Sequence, residues 1–246
     1  MTHPLARWLL WLLAAFTALQ LVFVGRIALM AVVDPQSTAF QRSEAWRLAN
    51  EFRHLRWRQQ WVDYDQISTH LKRAVIASED GTFTGHDGVD WDALEQAWVT
   101  NERRAQQVER QAARASDPAR VKPARVIGGS TITQQLAKNL LLSGERSLLR
   151  KGQELVLTLT LEAFLSKRRI LEIYLNSVEF GQGVFGAEAA SQRYFGKPAR
   201  QLSAWEAARL AVMLPAPRRY EKRPDSEYLS GRASKVMGRM AGADIP

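Results

Sequence analysis

The stretch Gly128-Gly129-Ser130-Thr131-Ile132-Thr133-Gln134-Gln135-Leu136-Ala137-Lys138-Asn139 places two glycines directly before a predicted helix. Thr131 is followed three residues later by Gln134, which is the pattern of a capping box at a helix N-terminus. Lys138 lies one turn after Gln134 on the same face, and Gln135 lies beside that face. Exposed N–H groups at the helix start and a lysine one turn later suit an anionic ligand such as a phosphate. An ordinary capped helix without a ligand explains the stretch equally well.

The composition narrows the range of partners. The chain has 246 residues, of which 46% are hydrophobic, enough for one sizeable domain and an appendage. It contains no cysteine, which excludes disulfides and cysteine-ligated metal sites. Lysine and arginine number 34 against 25 acidic residues, giving a net charge of +9. This surplus favours an anionic partner, and nucleic acid, a lipid headgroup surface and a phosphorylated substrate all remain open.

The N-terminal region contains an uncharged apolar run from Trp8 to Gly25, followed by Arg26. Its 18 residues, at about 1.5 Å each, nearly cross a hydrocarbon core of about 30 Å, so we predict one transmembrane helix. A cleaved signal peptide is the main alternative, but the run is long for an h-region and lacks a convincing small-x-small cleavage site after it. In either case the bulk of the chain is predicted to be exported, and a weak charge bias favours a cytoplasmic N-terminus.

The rest of the chain shows helical periodicity and little alternation of period two, which predicts an all-α fold. A long helix is expected over about 147–166, and its centre, LVLTLTLEAFL (155–165), is apolar nearly all round and is therefore assigned to the core. Residues 101–125 carry seven basic and three acidic residues and almost no large apolar residue, which favours a helical extension and a solvated loop over a lipid contact. The predicted division is a membrane anchor (1–33), a juxtamembrane helical segment (34–65), a main helical domain (66–225) and a C-terminal tail (226–246).

Two acidic residues, Glu79 and Asp80, end a helix predicted from about Ser68. The negative end of the helix dipole, mutual repulsion and partial burial would each raise a carboxyl pKa there. A general base that works near neutral pH requires such an environment. The structural alternative is that one carboxylate caps the helix or forms an ion pair. Its candidate partners are Lys72, Arg73 and His86.

Glu154 lies at the border of the apolar part of the long helix, four residues after Arg150 and three after Lys151. This spacing predicts an intrahelical ion pair. Alternatively, Glu154 is the second carboxylate of a site that processes sugars. Together with Lys138 and Arg146, the two basic residues are compatible with either a diphosphate site or a surface salt-bridge network.

Five segments, in this order along the chain, resemble the signature blocks of the peptidoglycan glycosyltransferase family, which includes the glycosyltransferase halves of bifunctional penicillin-binding proteins. They are SEDGTFTGHDGVD (78–90), GGSTITQQLAKN (128–139), RKGQE (150–154), RRILEIYLN (168–176) and ARLAVMLPAP (208–217). The resemblance covers about residues 66–220, and the basic insertion of 101–125 is longer than the usual connection in this family. Because no S-x-x-K, S-D-N or K-T-G set is present, the chain resembles the monofunctional members.

The resemblance implies a lysozyme-like helical glycosyltransferase domain that polymerises lipid II at the outer, periplasmic face of the bacterial inner membrane. It implies that Glu79 is the catalytic base, which takes a proton from the 4-hydroxyl of the acceptor sugar, and that Glu154 is the second catalytic glutamate, on the donor side. It assigns the donor diphosphate to Lys138, Arg146 and Arg150, and the cleft wall to Ser130, Gln134 and Gln135. The residues expected to support the site are Asp80, Phe83, His86, Asp90, Asn139 and Lys151.

The same resemblance implies no required cofactor and no metal-ligating residue, although a divalent cation such as Mg²⁺ could assist at the diphosphate. The expected partners are lipid II, the growing glycan chain, membrane lipids and other cell-wall synthesis proteins, whereas nucleic acid is not expected because no nucleic-acid motif is present. Two alternatives remain: a glycan hydrolase of the same fold and a non-enzymatic scaffold of the wall-synthesis machinery. The anchor and the basic group argue against the hydrolase, and intact Glu79, Glu154 and Lys138 argue against the scaffold.

Overall fold

The computed structural model describes residues 4–52, 57–115, 117, 120–124, 126, 128–142 and 147–246. Helices dominate these ranges, as the all-α prediction requires. They are α1 (Pro4–Leu29), α2 (Ala39–Phe52), α3 (Thr69–Glu79), α4 (Trp91–Arg114), α5 (Ile132–Leu141), α6 (Leu148–Phe164), α7 (Lys167–Ser177), α8 (Ala187–Phe195), α9 (Ala204–Met213), α10 (Pro217–Tyr220) and α11 (Glu227–Met240).

A small sheet, not foreseen from the sequence, joins three short strands: β1 (Arg58–Gln59), β2 (Glu179–Gly181) and β3 (Val184–Phe185). The strand order is β1-β3-β2, with β1 parallel and β2 antiparallel to β3. Part of the segment expected to be helical is thus a strand, because Arg58 N–H donates to the carbonyl of Gly183 at 2.8 Å and Trp57 packs on Phe185. Strands of two or three residues are too short to show a period of two in the sequence.

The first helix, α1, is the one helix in the described part of the chain that is long and apolar enough to cross a membrane, by length and composition. It runs on to Leu29, beyond the uncharged stretch, and its last turns enter the domain. Ile27 and Met30 belong to the main hydrophobic core. Arg169 holds the end of this segment, since its Nε donates to the Met30 carbonyl at 2.7 Å and its Nη2 pairs with Asp34.

Helices α3, α9 and α11 each pack on the other two and together form one part of the hydrophobic core. Residues 226–246, which the sequence suggested to be a tail, therefore form an integral helix and its extension. The apolar side chains of α11 repeat at helical spacing and are buried: Leu229, Ala233, Val236 and Met240. The extension also contacts the domain, because the Tyr64 hydroxyl donates to the carbonyl of Pro246 at 2.9 Å.

The long helix α6 packs on α5, α7 and α1, but only part of its apolar surface is in the core. Leu157 and Leu161 are buried, whereas Val156 and Leu159 are about half exposed. The prediction that the whole apolar run lies in the core is therefore wrong. Hydropathy reports only that a side chain avoids water, and it does not distinguish a protein core from an exposed surface beside another apolar helix.

Candidate functional site

The end of α3 places two carboxylates in different environments. Asp80 is the C-cap residue, and its side chain is buried. Its Oδ1 lies 3.0 Å from His86 Nε2, and its Oδ2 accepts from the Ile132 N–H at 2.9 Å. Of the partners considered from the sequence, His86 is thus the one that Asp80 uses, while Lys72 lies over the ring of Tyr64. Asp80 joins the end of α3 to the start of α5.

The loop after Asp80 is held by hydrogen bonds that fix the form of His86. The Gly88 N–H donates to His86 Nδ1 at 3.2 Å, so Nδ1 carries a lone pair and Nε2–H donates to Asp80. Asp90 caps α4 by accepting from the Ala93 N–H at 2.7 Å, and its other oxygen bonds to Thr82. These contacts support the structural role expected of His86 and Asp90.

Asp80, His86 and Asp90 also bring their ligand atoms within 4.8 Å of one another, a geometry that a metal ion could use. Each of those atoms, however, already has a hydrogen-bond partner in the protein. Phe83 packs beneath the same loop, fully buried, with the Lys167 ammonium 4.6 Å from the centre of its ring. We therefore interpret the cluster as the clamp of the loop.

Glu79, one residue before Asp80, is half-buried and is oriented by its neighbours. Gln135 Nε2 donates to Glu79 Oε2 at 3.0 Å, and Gln135 Oε1 accepts from the Tyr174 hydroxyl at 3.0 Å. Because the buried Tyr174 holds the amide of Gln135, the amide can present only its N–H to the carboxylate. The three residues form a relay that fixes the position of the Glu79 carboxylate.

The pKa of Glu79 is raised above its ordinary value, chiefly because burial penalises the charged form. Hydrogen bonds from Gln135 and Ser78 act in the opposite direction, and so does the positive charge of Arg232. Repulsion by Asp80 adds a smaller upward shift to this pKa. The direction agrees with the expectation from the sequence, but burial, and not the adjacent carboxylate, is the main cause.

The glycine-containing stretch forms the start of α5 as predicted. Thr131 is the N-cap and Gln134 completes the capping box, with both hydrogen bonds at 3.1 Å. The Thr131 hydroxyl also donates to the Gly88 carbonyl at 2.6 Å, which ties this helix start to the clamped loop. The side chain of Gln134 is thus buried in the cap, whereas that of its neighbour Gln135 is directed to Glu79.

A cavity of about 330 Å³ adjoins Glu79, and Ser130 is in its wall. Gly129 allows the wall to close, because a Cβ at this position would lie 3.3 Å from the Cα of Leu94. The first half of α4, which was not predicted to belong to the site, also lines this cavity. The spacing of its lining residues at i, i+3, i+4 and i+7 could have indicated one helix face: Ala93, Gln96, Ala97 and Thr100.

The second carboxylate, Glu154, is only 3% exposed on α6. Its Oε2 pairs with Arg150 Nη1 at 2.9 Å, and its Oε1 pairs with Lys151 Nζ. The intrahelical ion pairs expected from the spacing are therefore present. Arg150 Nε is buried without a hydrogen-bond partner, so the guanidinium retains an unused donor at this place.

The charges of both acidic residues, Glu79 and Glu154, act on the ammonium of Lys138. The Lys138 side chain is exposed at the surface, yet the protein around it displaces part of its water and lowers the pKa of its ammonium. Glu154 and Glu79 both counteract this shift, whereas Arg150 and Lys151 add to it. Asn139 is half-buried beside Lys138. Arg146, which was assigned to the same basic group, lies outside the described residues.

The arrangement combines a poised carboxylate at a cavity with a cluster of cations near a second, paired carboxylate. A raised pKa suits proton abstraction, and the cations suit an anionic leaving group. The family model described as Transglycosylase matches residues 47–241.

The chain belongs to the transglycosylase family.

Curated relatives support this assignment over nearly the full length. A protein named biosynthetic peptidoglycan transglycosylase from Burkholderia thailandensis is 51% identical over 245 residues, which cover 98% of this chain and 89% of the relative. A protein of the same name from Burkholderia orbicola is 49% identical over 249 residues, covering 100% of this chain and 94% of the relative.

Membership of the transglycosylase family confirms the resemblance seen in the five sequence segments and makes the chain a glycosyltransferase enzyme. The family match extends to residue 241 and therefore includes α11. One residue of that helix, Arg232, acts on Glu79 through its charge. No local sequence pattern connects a residue of α11 with the end of α3, so this contribution of Arg232 could not be predicted.

Proposed function

We propose that this transglycosylase polymerises lipid II into β-1,4-linked glycan strands with inversion at the donor sugar. In this reaction Glu79 takes the proton of the acceptor 4-hydroxyl, and the resulting oxygen attacks C1 of the donor. The bond from C1 to the diphosphate breaks, and undecaprenyl diphosphate leaves with the electron pair. The enzyme carries no transpeptidase activity. The substrate class follows the names of the curated relatives and the order of the five segments.

The observation that carries the proposal is the environment of Glu79. This carboxylate borders the cavity, has a raised pKa and is held by Gln135, which is itself held by Tyr174. A general base needs both a fixed position and a pKa close to the working pH. Ser130, in the cavity wall, would contact the sugar that binds there.

The donor diphosphate would bind beside Lys138, Arg150 and Lys151. Electrostatic stabilisation of a developing charge requires cations that are already oriented and partly removed from water. The lowered pKa of the Lys138 ammonium and the unpartnered Nε of Arg150 are consistent with such a site. Glu154 would keep both of its basic partners in place on the donor side. We propose that Arg146 also contacts the donor diphosphate.

The location proposed for the reaction is the periplasmic face of the bacterial inner membrane. Helix α1 would be a single-pass anchor with its N-terminus in the cytoplasm, and membrane lipids would be constant partners. Association with other cell-wall synthesis proteins also belongs to this proposal. We propose no resident cofactor, because basic side chains can stabilise the leaving group, while Mg²⁺ could assist at the diphosphate.

The experiment is incubation of the full-length protein in detergent or vesicles with labelled lipid II, followed by separation of the glycan products by length. Wild type is expected to form polymer, and Glu79→Gln is expected to lower the rate by about 10²–10⁴-fold, the usual contribution of a general base. Glu109→Gln, an exposed glutamate on α4, is the matched control and should polymerise normally. Polymerisation by Glu79→Gln at the wild-type rate would refute the assignment of the base.

The glycan hydrolase is the second candidate, because a helical domain with two glutamates could also cleave glycan. Presenting preformed glycan strands in place of lipid II separates the two activities. Release of short fragments from these strands, without polymer from lipid II, would favour the hydrolase. Repeating the polymerisation assay with a chelator shows whether a divalent cation takes part.

A further inference from the structure

One face of α1 continues from the apolar anchor into the domain. Gln20, Phe23, Ile27 and Met30 follow one another at steps of three, four and three residues, so they lie on one side of the helix. Phe23 packs against the core, and Ile27 and Met30 belong to it. Leu19 and the residues before it in α1 are exposed. Gln20 is therefore the point at which the anchor first meets the domain.

At this point two amides pair reciprocally. Gln20 Nε2 donates to Gln153 Oε1 at 3.2 Å, and Gln153 Nε2 donates to Gln20 Oε1 at 2.9 Å. Both side chains are half-buried, and 133 residues separate them in the chain. Gln153 directly precedes Glu154 on α6, so this contact joins the anchor to the helix that carries the donor-side carboxylate.

The depth of the pair follows from the length of α1, given the membrane location of the proposed function. From Trp8 to Leu19, 12 consecutive residues of the helix are exposed, and Gln20 is the first residue that is partly buried. At about 1.5 Å per residue it spans about 18 Å, well short of a hydrocarbon core of about 30 Å. With Arg7 at the cytoplasmic interface, Gln20 lies about 20 Å along the helix and therefore in the outer half of the hydrocarbon layer.

The surface of α6 near this contact fits such a position. Leu149 and Val156, four residues before and three residues after Gln153, are 88% and 47% exposed. The Thr160 hydroxyl is satisfied within the helix, because it donates to the carbonyl of Val156 at 2.8 Å. An amide in hydrocarbon has no water to bond with, so an unpaired Gln20 or Gln153 would be strongly disfavoured there.

We propose that the Gln20–Gln153 pair is a lock inside the hydrocarbon layer that joins the anchor to α6. The lock sets the depth and the rotation at which Glu154, Arg150 and Lys151 meet the diphosphate of a lipid-linked donor. Gln153 is a positioning residue, since it acts through its neighbour on α6 and does not itself contact the substrate. The anchor is thus a structural part of the donor half of the site as well as a tether.

The kinetic test compares Gln20→Leu, Gln153→Leu and the double variant in vesicles that contain the lipid-linked donor. Each single variant leaves one unpaired amide and should raise KM for the donor by roughly 3–15-fold with a smaller change in kcat, the range measured for hydrogen bonds between membrane helices. The double variant breaks the same single pair and leaves no unpaired amide, so its loss should be no larger than that of either single variant. Thr17→Leu is the control, because Thr17 is the other polar, non-aromatic residue of the uncharged run and is exposed.

Unchanged single variants, or a double variant whose loss equals the product of the two single losses, would overturn the lock. A separate measurement needs no activity. Because the chain has no cysteine, Gln20→Cys/Gln153→Cys can be treated in vesicles with a short bifunctional thiol reagent. This pair should cross-link efficiently, and Thr17→Cys/Gln153→Cys should not. Equal cross-linking would refute the lock, whereas a wild type that makes no polymer would refute only the proposed function.

Discussion

Replacing Asp80 by asparagine should destabilise the loop that follows Glu79. Asp80 and His86 form a chain of hydrogen bonds in this loop, and a backbone N–H donates at each end of the chain. The Ile132 N–H donates to Asp80, and the Gly88 N–H donates to His86. A carboxylate can accept at both of its oxygens, which leaves His86 free to donate to it. In the native protein every donor in this chain therefore faces an acceptor.

An asparagine in this place can accept from the Ile132 N–H with its carbonyl, but its amino group then faces His86 Nε2. If His86 changes tautomer in order to accept, its Nδ1–H meets the Gly88 N–H instead. Each arrangement leaves one buried donor without an acceptor. Such a donor costs about 1–3 kcal/mol, which corresponds to a fall in Tm of about 2–12 °C for a chain of this size.

The assay is unfolding of Asp80→Asn and of wild type, by heat and by denaturant, in the same detergent. Asp63→Asn is the control, because Asp63 is exposed and its side chain makes no capping hydrogen bond, so its effect should stay within about 0.5 kcal/mol. If Asp80→Asn unfolds together with wild type, the inferred chain of donors and acceptors is incorrect.

Two further predictions concern the same loop and its neighbour α11. Gly88→Ala should destabilise the protein by more than about 2 kcal/mol, since φ is +87° and the new Cβ would lie 2.8 Å from Thr158 Cγ2; Gly85→Ala, which meets open space, should be nearly neutral in the same unfolding assay. Arg232→Ala should raise the pKa of Glu79 further, because the arginine charge lowers it, and should move the acid limb of the rate–pH profile to higher pH. Arg239→Ala, which also removes an exposed arginine of α11, is the control and should leave the acid limb in place. If the acid limb of Arg232→Ala stays in place as well, Arg232 does not act on Glu79.

Local patterns account for the parts of the fold that the sequence predicted well. The capping box at Thr131 joins residues three apart, and the ion pairs of Glu154 join residues three and four apart. Such contacts depend on helix geometry alone, so they can be derived before the tertiary structure is known. The five segments indicated the family for the same reason, since each segment is a continuous stretch.

The relay at Glu79 could not be derived in this way. Gln135 lies 56 residues after Glu79, and Tyr174 lies 39 residues after Gln135. The sequence assigned Gln134 and Gln135 the same task, whereas the phase of α5 buries the first in the cap and directs the second to the carboxylate. Two adjacent residues of a helix point about 100° apart, and only the packing of that helix decides which one faces the site.

The sequence by itself determined which residue types are available, where the helices begin and that one apolar helix could cross a membrane. The tertiary structure decided that α11 packs on α3, that part of the α6 surface stays exposed and that α1 meets α6 at Gln153. These outcomes depend on burial and on pairs of residues distant in the chain. A hydropathy pattern shows that a side chain avoids water, but only the folded chain shows whether it lies in a core or on an exposed surface beside α1.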